Sequence, residues 1–111
     1  MNTLAVDQRD IALDNDGYLL DLADWSPQVA SALAAREALE LTAEHWEILE
    51  LLREFHAQFE LSPATRPLIK YAALKLGADK GNSLHLNRLF KGTPAKLAAK
   101  LAGLPKPTNC I

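Results

Sequence analysis

Three Ser/Thr-Pro pairs divide this chain into helical segments. In Ser26-Pro27, Ser62-Pro63 and Thr93-Pro94 the hydroxyl can cap a helix, and the proline suits the first helical turn, where its missing amide hydrogen is not needed. Each pair precedes a stretch rich in alanine and leucine, so the pattern predicts a mainly helical fold. Pro67 lacks the amide that a regular helix needs, so the second of these helices has an irregular first turn or begins nearer Thr65.

Caps and apolar spacing predict the remaining helix boundaries. The second helix carries an apolar stripe at spacings of three and four residues, which indicates a face turned to the core: Trp46, Leu49, Leu52, Phe55 and Phe59. The sequence predicts five helices: Pro27 to about Leu39, a second capped by Thr42, a third ending at Gly77, a fourth capped by Ser83 and running through Phe90, and a last from Pro94 through Ala102, closed by Gly103.

The N-terminus is predicted to form a small antiparallel β-meander. Three apolar runs, Leu4-Ala5-Val6, Ile11-Ala12-Leu13 and Tyr18-Leu19-Leu20, are separated by polar turn residues. The predicted fold class is therefore α+β, a mostly helical array with this meander and an extended, proline-containing C-terminal arm. With 111 residues and 49% hydrophobic composition, the chain is expected to form one domain: meander 1–22, helical core 23–103 and arm 104–111.

Charge is distributed unevenly along the chain. Residues 1–61 hold thirteen acidic residues against three arginines, a net charge of −10, whereas residues 62–111 hold nine cations against Asp79 alone, a net charge of +8. Such a basic half suits RNA, an acidic protein or a small anion, but it can equally be a solvated surface that balances the acidic half. Its candidate binding cations are Arg66, Lys70, Lys80 and Arg88.

The pair of helices around residues 68–77 and 83–90 offers an alternative function. Two helices across a short glycine-containing turn form a helix-turn-helix pattern typical of nucleic-acid-binding modules, and the residues close to the turn are Lys75, Lys80, His85 and Arg88. The pattern is weak, because any two helices that cross in a small bundle produce it. The acidic N-terminal half also argues against a dedicated DNA-binding protein.

The single cysteine, Cys110, excludes an intramolecular disulfide and indicates a reducing compartment. The first ten residues contain no secretory signal pattern and no stretch approaches the length of a membrane span, so the chain is expected to be cytoplasmic. His45 and His56 lack a third ligand at a suitable spacing, so no metal site is predicted. A chain of this size also needs no cofactor to fold.

Cys110 ends an arm that cannot be helical. Pro105 and Pro107 favour an extended, semi-rigid segment, and at polyproline spacing the steps from Gly103 to Cys110 span about 20 Å. An exposed terminal thiol stays accessible to electrophiles and other thiols, which suits delivery of the cysteine into a partner's pocket. Composition alone leaves this function and an incidental terminal cysteine equally open.

A family resemblance favours the reactive cysteine. The segments that carry it, in order, are Glu44-His45-Trp46, Ser62-Pro63-Ala64, Arg66 with Lys70, Lys80-Gly81-Asn82-Ser83, Leu89-Phe90, and Ala102-Gly103-Leu104-Pro105-Lys106-Pro107 followed by Cys110. Together they resemble the TusE/DsrC family over nearly the whole chain. The resemblance implies a small sheet packed on helices and a penultimate cysteine that carries sulfur for partner proteins. His45 and Trp46 are expected to have capping and core roles rather than catalytic ones.

One position indicates the branch of the family. DsrC proteins of dissimilatory sulfur metabolism have a second cysteine eleven residues before the penultimate one, where this chain has Ala99. The resemblance therefore implies the TusE branch, which takes sulfane sulfur from a TusBCD-like donor complex and passes it to an MnmA-like tRNA 2-thiouridylase. A role in oxidative sulfur trafficking stays open, because a carrier with one cysteine suits either pathway.

Overall fold

The computed structural model describes residues 2–107, which form two strands and five α-helices. A single 3₁₀ turn, Leu22–Asp24, precedes the first α-helix. The elements are β1 Asn2–Val6, β2 Arg9–Leu13, α1 Pro27–Arg36, α2 Ala43–Phe59, α3 Thr65–Leu76, α4 Ser83–Phe90 and α5 Pro94–Leu101. The α+β class predicted from the sequence is confirmed.

Strands β1 and β2 form an antiparallel hairpin that pairs Val6 with Arg9 across a two-residue turn. The prediction of a third strand is wrong, because residues 18–20 form only one isolated bridge, between Leu13 and Leu19. Its extension stops because Asp21 begins the 3₁₀ turn, with its carboxylate accepting a hydrogen bond from the Ala23 amide at 3.0 Å.

Local capping explains where α1 and α4 begin. The Ser26 hydroxyl accepts a hydrogen bond from the Val29 amide at 3.2 Å, as predicted for α1. Helix α3 begins at Thr65, which confirms the later of its two predicted starts. Helix α4 is capped by Asn82 and not by Ser83, because the Asn82 carboxamide oxygen accepts the His85 amide at 2.9 Å. Helix α1 ends at Arg36, earlier than predicted.

Helix α5 lies at the centre of the helical array. It packs against α1, α2, α3 and α4, and six of its eight residues are buried. Its alanines at 95, 98 and 99 are at most 1% exposed, so small side chains let the surrounding helices approach closely. The C-terminal arm therefore begins from the middle of the molecule, at the end of its most enclosed helix.

Candidate functional site

The candidate site is the base of the C-terminal arm, since Cys110 itself lies outside the described residues. The described part of the arm comprises residues 104–107 and is not helical. What the structure determines is how the arm leaves α5 and which side chains hold it.

Two side chains from distant parts of the chain cap the C-terminal end of α5. The Trp25 indole N–H donates to the Leu101 carbonyl at 2.9 Å, and the Arg53 guanidinium donates to the Ala102 carbonyl at 2.7 Å. The guanidinium also lies 3.9 Å from the centroid of the Trp25 ring, a cation–π geometry. These contacts satisfy carbonyls that a helix end leaves without partners, and a positive charge is favourable there. Partial burial lowers the pKa of Arg53.

Gly103 makes the turn from α5 into the arm. Its φ of +72° is strained for any residue with a side chain, and an added Cβ would lie 2.2 Å from Cδ1 of Trp25. The chain then folds back, because the Leu104 amide donates to the Ala99 carbonyl at 3.0 Å. Leu104 is only 3% exposed and belongs to the core.

The arm stays on the body beyond Leu104. The Ser62 hydroxyl donates to the Pro105 carbonyl at 2.6 Å, and the Lys106 ammonium lies 3.1 Å from the Asp16 carboxylate. Pro107 is buried. Residues 104–107 are therefore held against the body, while the predicted span of about 20 Å from Gly103 to Cys110 ends outside the described residues and stays a prediction.

None of the four predicted basic residues has a hydrogen bond or ion pair with residues 104–107, the described part of the arm. Lys80 forms an ion pair with Glu47, with its nitrogen 2.7 Å and 2.9 Å from the two carboxylate oxygens. The hydrogen bond that Lys80 donates to Glu47 is the main cause that raises the pKa of Lys80. Arg66 and Lys70 are exposed on α3 and Arg88 is exposed near the end of α4, and none of them has an ion pair within residues 2–107.

His45 has the capping role predicted for it. Its Nδ1 accepts a hydrogen bond from the Thr42 amide at 3.0 Å, so Nε2 carries the proton and donates to the Leu89 carbonyl at 2.8 Å. The side chain is 5% exposed and links the start of α2 to the end of α4. Both ring nitrogens are thus occupied by structural hydrogen bonds.

The helix pair α3 and α4 is present, but its charges oppose nucleic-acid binding. His85, a candidate for base recognition, is 9% exposed, and its Nε2 lies 3.7 Å from a Glu44 carboxylate oxygen. Lys80 is held by Glu47. The N-terminal end of the would-be recognition helix therefore faces carboxylates, which repel phosphate.

Comparison with known proteins identifies the family. A family model described as DsrC like protein matches residues 5–111. The chain belongs to the DsrC-like family. It is 50% identical over 108 residues to the sulfurtransferase TusE of Salmonella choleraesuis. The matched region covers 97% of this chain and 99% of that protein. It is also 50% identical over 102 residues to the TusE homologue of Haemophilus influenzae, covering 92% of this chain and 94% of that one.

Solved DsrC structures share the fold of this member of the DsrC-like family. The NMR structure of DsrC from Allochromatium vinosum superposes with a TM-score of 0.91 at 48% identity, covering 99% of this chain and 98% of that one. The oxidised γ-subunit of dissimilatory sulfite reductase from Archaeoglobus fulgidus gives a TM-score of 0.84 at 37% identity, covering 99% and 100%. The resemblance inferred from the sequence is confirmed. Within residues 2–107 no helix is long and apolar enough to cross a membrane.

The side chains that hold the arm are Trp25, Arg53 and Ser62. Of these, the sequence singled out only Ser62, as a possible helix cap and a family motif position and not as a contact of the arm. Arg53 left one signal, because it is the only lysine or arginine in α2 and stands beside the apolar stripe. A cation in that position must find partners at the edge of the core. Trp25 left no comparable signal, since nothing local predicts contact with Leu101.

Proposed function

We propose that this chain is a sulfurtransferase that acts as a sulfur carrier, holding sulfane sulfur as a persulfide on Cys110 and passing it to an acceptor protein. The observation that carries the proposal is a single, penultimate cysteine in a chain that matches TusE sulfurtransferases along nearly its whole length. The anchored arm base supports it, because side-chain contacts hold the chain on the body as far as Lys106, four residues before Cys110.

The proposed reaction is two successive transfers of one sulfur atom. The Cys110 thiolate attacks the terminal sulfur of a donor persulfide, forming the Cys110 persulfide and releasing the donor cysteine as a thiolate. An acceptor thiolate then attacks the terminal sulfur on Cys110, and the Cys110 thiolate leaves. No electrons are gained or lost overall, so no redox cofactor is needed. With no other cysteine in the chain, sulfide cannot be expelled by an internal disulfide.

The proposed destination of the sulfur is 2-thiouridine at the tRNA wobble position, in the cytoplasm. The partners would be a TusBCD-like donor complex and an MnmA-like 2-thiouridylase with its tRNA. Overall identity does not separate the branches, since the chain is 50% identical to a TusE and 48% identical to a DsrC. Ala99 supports the TusE branch, because it replaces the second cysteine of the two-cysteine carriers.

Two alternatives make different predictions. A carrier in oxidative sulfur trafficking would load sulfur equally well but deliver it to a different acceptor. A helix-turn-helix module would bind a nucleic-acid duplex without sulfur, but the carboxylates at the start of α4 argue against it.

The direct test is intact-mass spectrometry of the full chain after incubation with a cysteine desulfurase and free cysteine. We expect added mass of one or more sulfur atoms that is removed by a reductant. Cys110→Ser should abolish the gain, because a hydroxyl cannot form a persulfide. Its stability should be unchanged, because the core and the contacts that hold residues 104–107 come from other side chains.

The result of the loading experiment distinguishes a sulfur carrier from a nucleic-acid-binding module. Labelled sulfur on Cys110→Ser would show that the wrong atom has been assigned. Unfolding of that variant would show that Cys110 is structural. If loading succeeds, transfer of the label to tRNA through an MnmA-like enzyme distinguishes tRNA thiolation from oxidative trafficking.

A further inference from the structure

A basic pocket lies beside the base of the arm. Its volume is about 280 Å³, and its wall holds four lysines, Lys91, Lys96, Lys100 and Lys106, with two carboxylates, Asp16 and Glu37. None of these lysines was among the binding cations predicted from the sequence. The pocket joins α5, the loop before it, the turn after β2 and the arm itself.

The charges in the pocket do not cancel. Lys100 lies 3.3 Å from the Glu37 carboxylate, while Lys91 donates to the Glu37 backbone carbonyl and pairs with no carboxylate of residues 2–107. Lys96 is exposed and has no carboxylate partner within the described chain. Among the described residues, four ammonium groups thus line the pocket against two carboxylates, a surplus of two positive charges.

One of the two internal ion pairs is suited to exchange. The Lys106 side chain is 50% exposed and that of Asp16 is 59% exposed. A pair so accessible to water is weak, and another carboxylate can replace Asp16 at little cost. The Lys100–Glu37 pair is more enclosed, with the Lys100 side chain 20% exposed, and serves as the fixed wall of the pocket.

We infer that this pocket is the docking site for an acidic segment of a protein partner, one of whose carboxylates takes the place of Asp16 on Lys106 while a second binds near Lys96. That the partner is a donor or acceptor of sulfur rests on the proposed function. Lys106 is four residues from Cys110. A segment bound there would be held near the sulfur-carrying residue.

A protein carboxylate fits this site better than a nucleic-acid backbone. A nucleic acid presents a continuous row of phosphates and is bound by an extended track of cations. Here the surplus is local, the wall already contains two carboxylates, and the neighbouring turn adds Asp14. A short segment with two or three acidic side chains uses the surplus without meeting these acids along its length.

The test is a ¹⁵N–¹H NMR titration of the full-length Cys110→Ser chain with three probes: an acetylated tetraglutamate amide, inorganic phosphate and hexauridylate. We expect tetraglutamate to shift the amides of Lys91, Lys96, Lys100 and Lys106 in a saturable way, weakened by salt. Lys96→Gln should weaken binding about two- to fivefold, as for loss of one exposed ion pair. Asp16→Asn should tighten it by a similar factor, because it removes the internal competitor.

Lys75→Gln is the matched control, since Lys75 is an exposed helical lysine that pairs with Glu54 outside the pocket. Equal weakening by Lys75→Gln and Lys96→Gln would overturn the inference in favour of diffuse attraction. If hexauridylate or phosphate binds the pocket more tightly than tetraglutamate, the inference that a protein carboxylate is the ligand is overturned. If tetraglutamate shifts amides outside the pocket instead, the assignment of the docking site to this pocket is overturned. Because the Cys110→Ser chain cannot carry sulfur, this titration tests docking alone. A negative titration would therefore leave the proposed carrier function untouched, and a negative sulfur-loading experiment would leave the docking site untouched.

Discussion

The arm base gives a sharp prediction for Gly103→Ala. The residue sits at φ +72°, and the added methyl would lie 2.2 Å and 2.6 Å from two atoms of the Trp25 ring. Atoms cannot approach so closely, so either the ring or the start of the arm must move. A moved ring loses its hydrogen bond to the Leu101 carbonyl and its contact with Arg53.

The expected cost follows from these contacts. A left-handed conformation costs a non-glycine residue about 1–2 kcal/mol. Loss of the indole hydrogen bond adds about 1 kcal/mol, and loss of the cation–π contact adds about 0.5–1 kcal/mol. Gly103→Ala should therefore lower the free energy of unfolding by about 2.5–4 kcal/mol, out of the roughly 5–15 kcal/mol that a domain of this size has.

Urea unfolding measures that change, and the indole N–H resonance of Trp25 reports its cause. Two other glycines serve as controls. Gly92→Ala meets no neighbouring atom within 4 Å and should change stability by less than about 0.5 kcal/mol. Gly77 has a positive φ, but a Cβ added there would have no atom within 4 Å. Gly77→Ala should therefore destabilise the fold without moving the Trp25 resonance. A loss below about 1 kcal/mol for Gly103→Ala, or an unchanged Trp25 resonance, would refute the reasoning.

Two further predictions concern sulfur release and pH. Ala99→Cys should convert the carrier into a releasing protein, because the introduced thiolate can attack Sγ of the Cys110 persulfide, expel hydrosulfide and leave a disulfide if the Cα atoms come within about 4.4–6.8 Å. Mass spectrometry and a sulfide assay follow this, and persulfide as long-lived as in the natural chain would contradict it. Because Glu47 raises the pKa of Lys80 above 10.5, their pairing should stabilise the fold below that pH and fade as pH rises through the raised value. Urea unfolding from pH 9 to 11 should show this alkaline loss, and Lys80→Gln, which cannot titrate, should show less of it.

The start of α1 could be predicted because it depends on neighbouring residues alone. Ser26 binds the amide of Val29, three residues away, and Pro27 cannot occupy the helix interior. Where two neighbours compete for the same role, the prediction fails by one residue. Asn82 caps α4 in place of Ser83, because its carboxamide reaches the His85 amide.

The arm was predictable as a segment but not as a docked one. Pro105 and Pro107 exclude helix on their own. The partners that hold the arm are remote: Trp25 is 76 residues from Leu101, and Ser62 is 43 residues from Pro105. No local pattern encodes such contacts, because they exist only after the apolar faces of the helices have packed around α5.

The same distinction applies to charge. The sequence alone determined that acids and bases lie in opposite halves of the chain, and that one cysteine stands at its end. Only the tertiary structure decided that Lys80 is paired with Glu47, while Lys91, Lys96, Lys100 and Lys106 converge on one pocket. The charge along a chain can be read from its sequence. The charge at a site depends on which faces of the helices lie next to each other, and the packing of the apolar residues in the core sets that orientation.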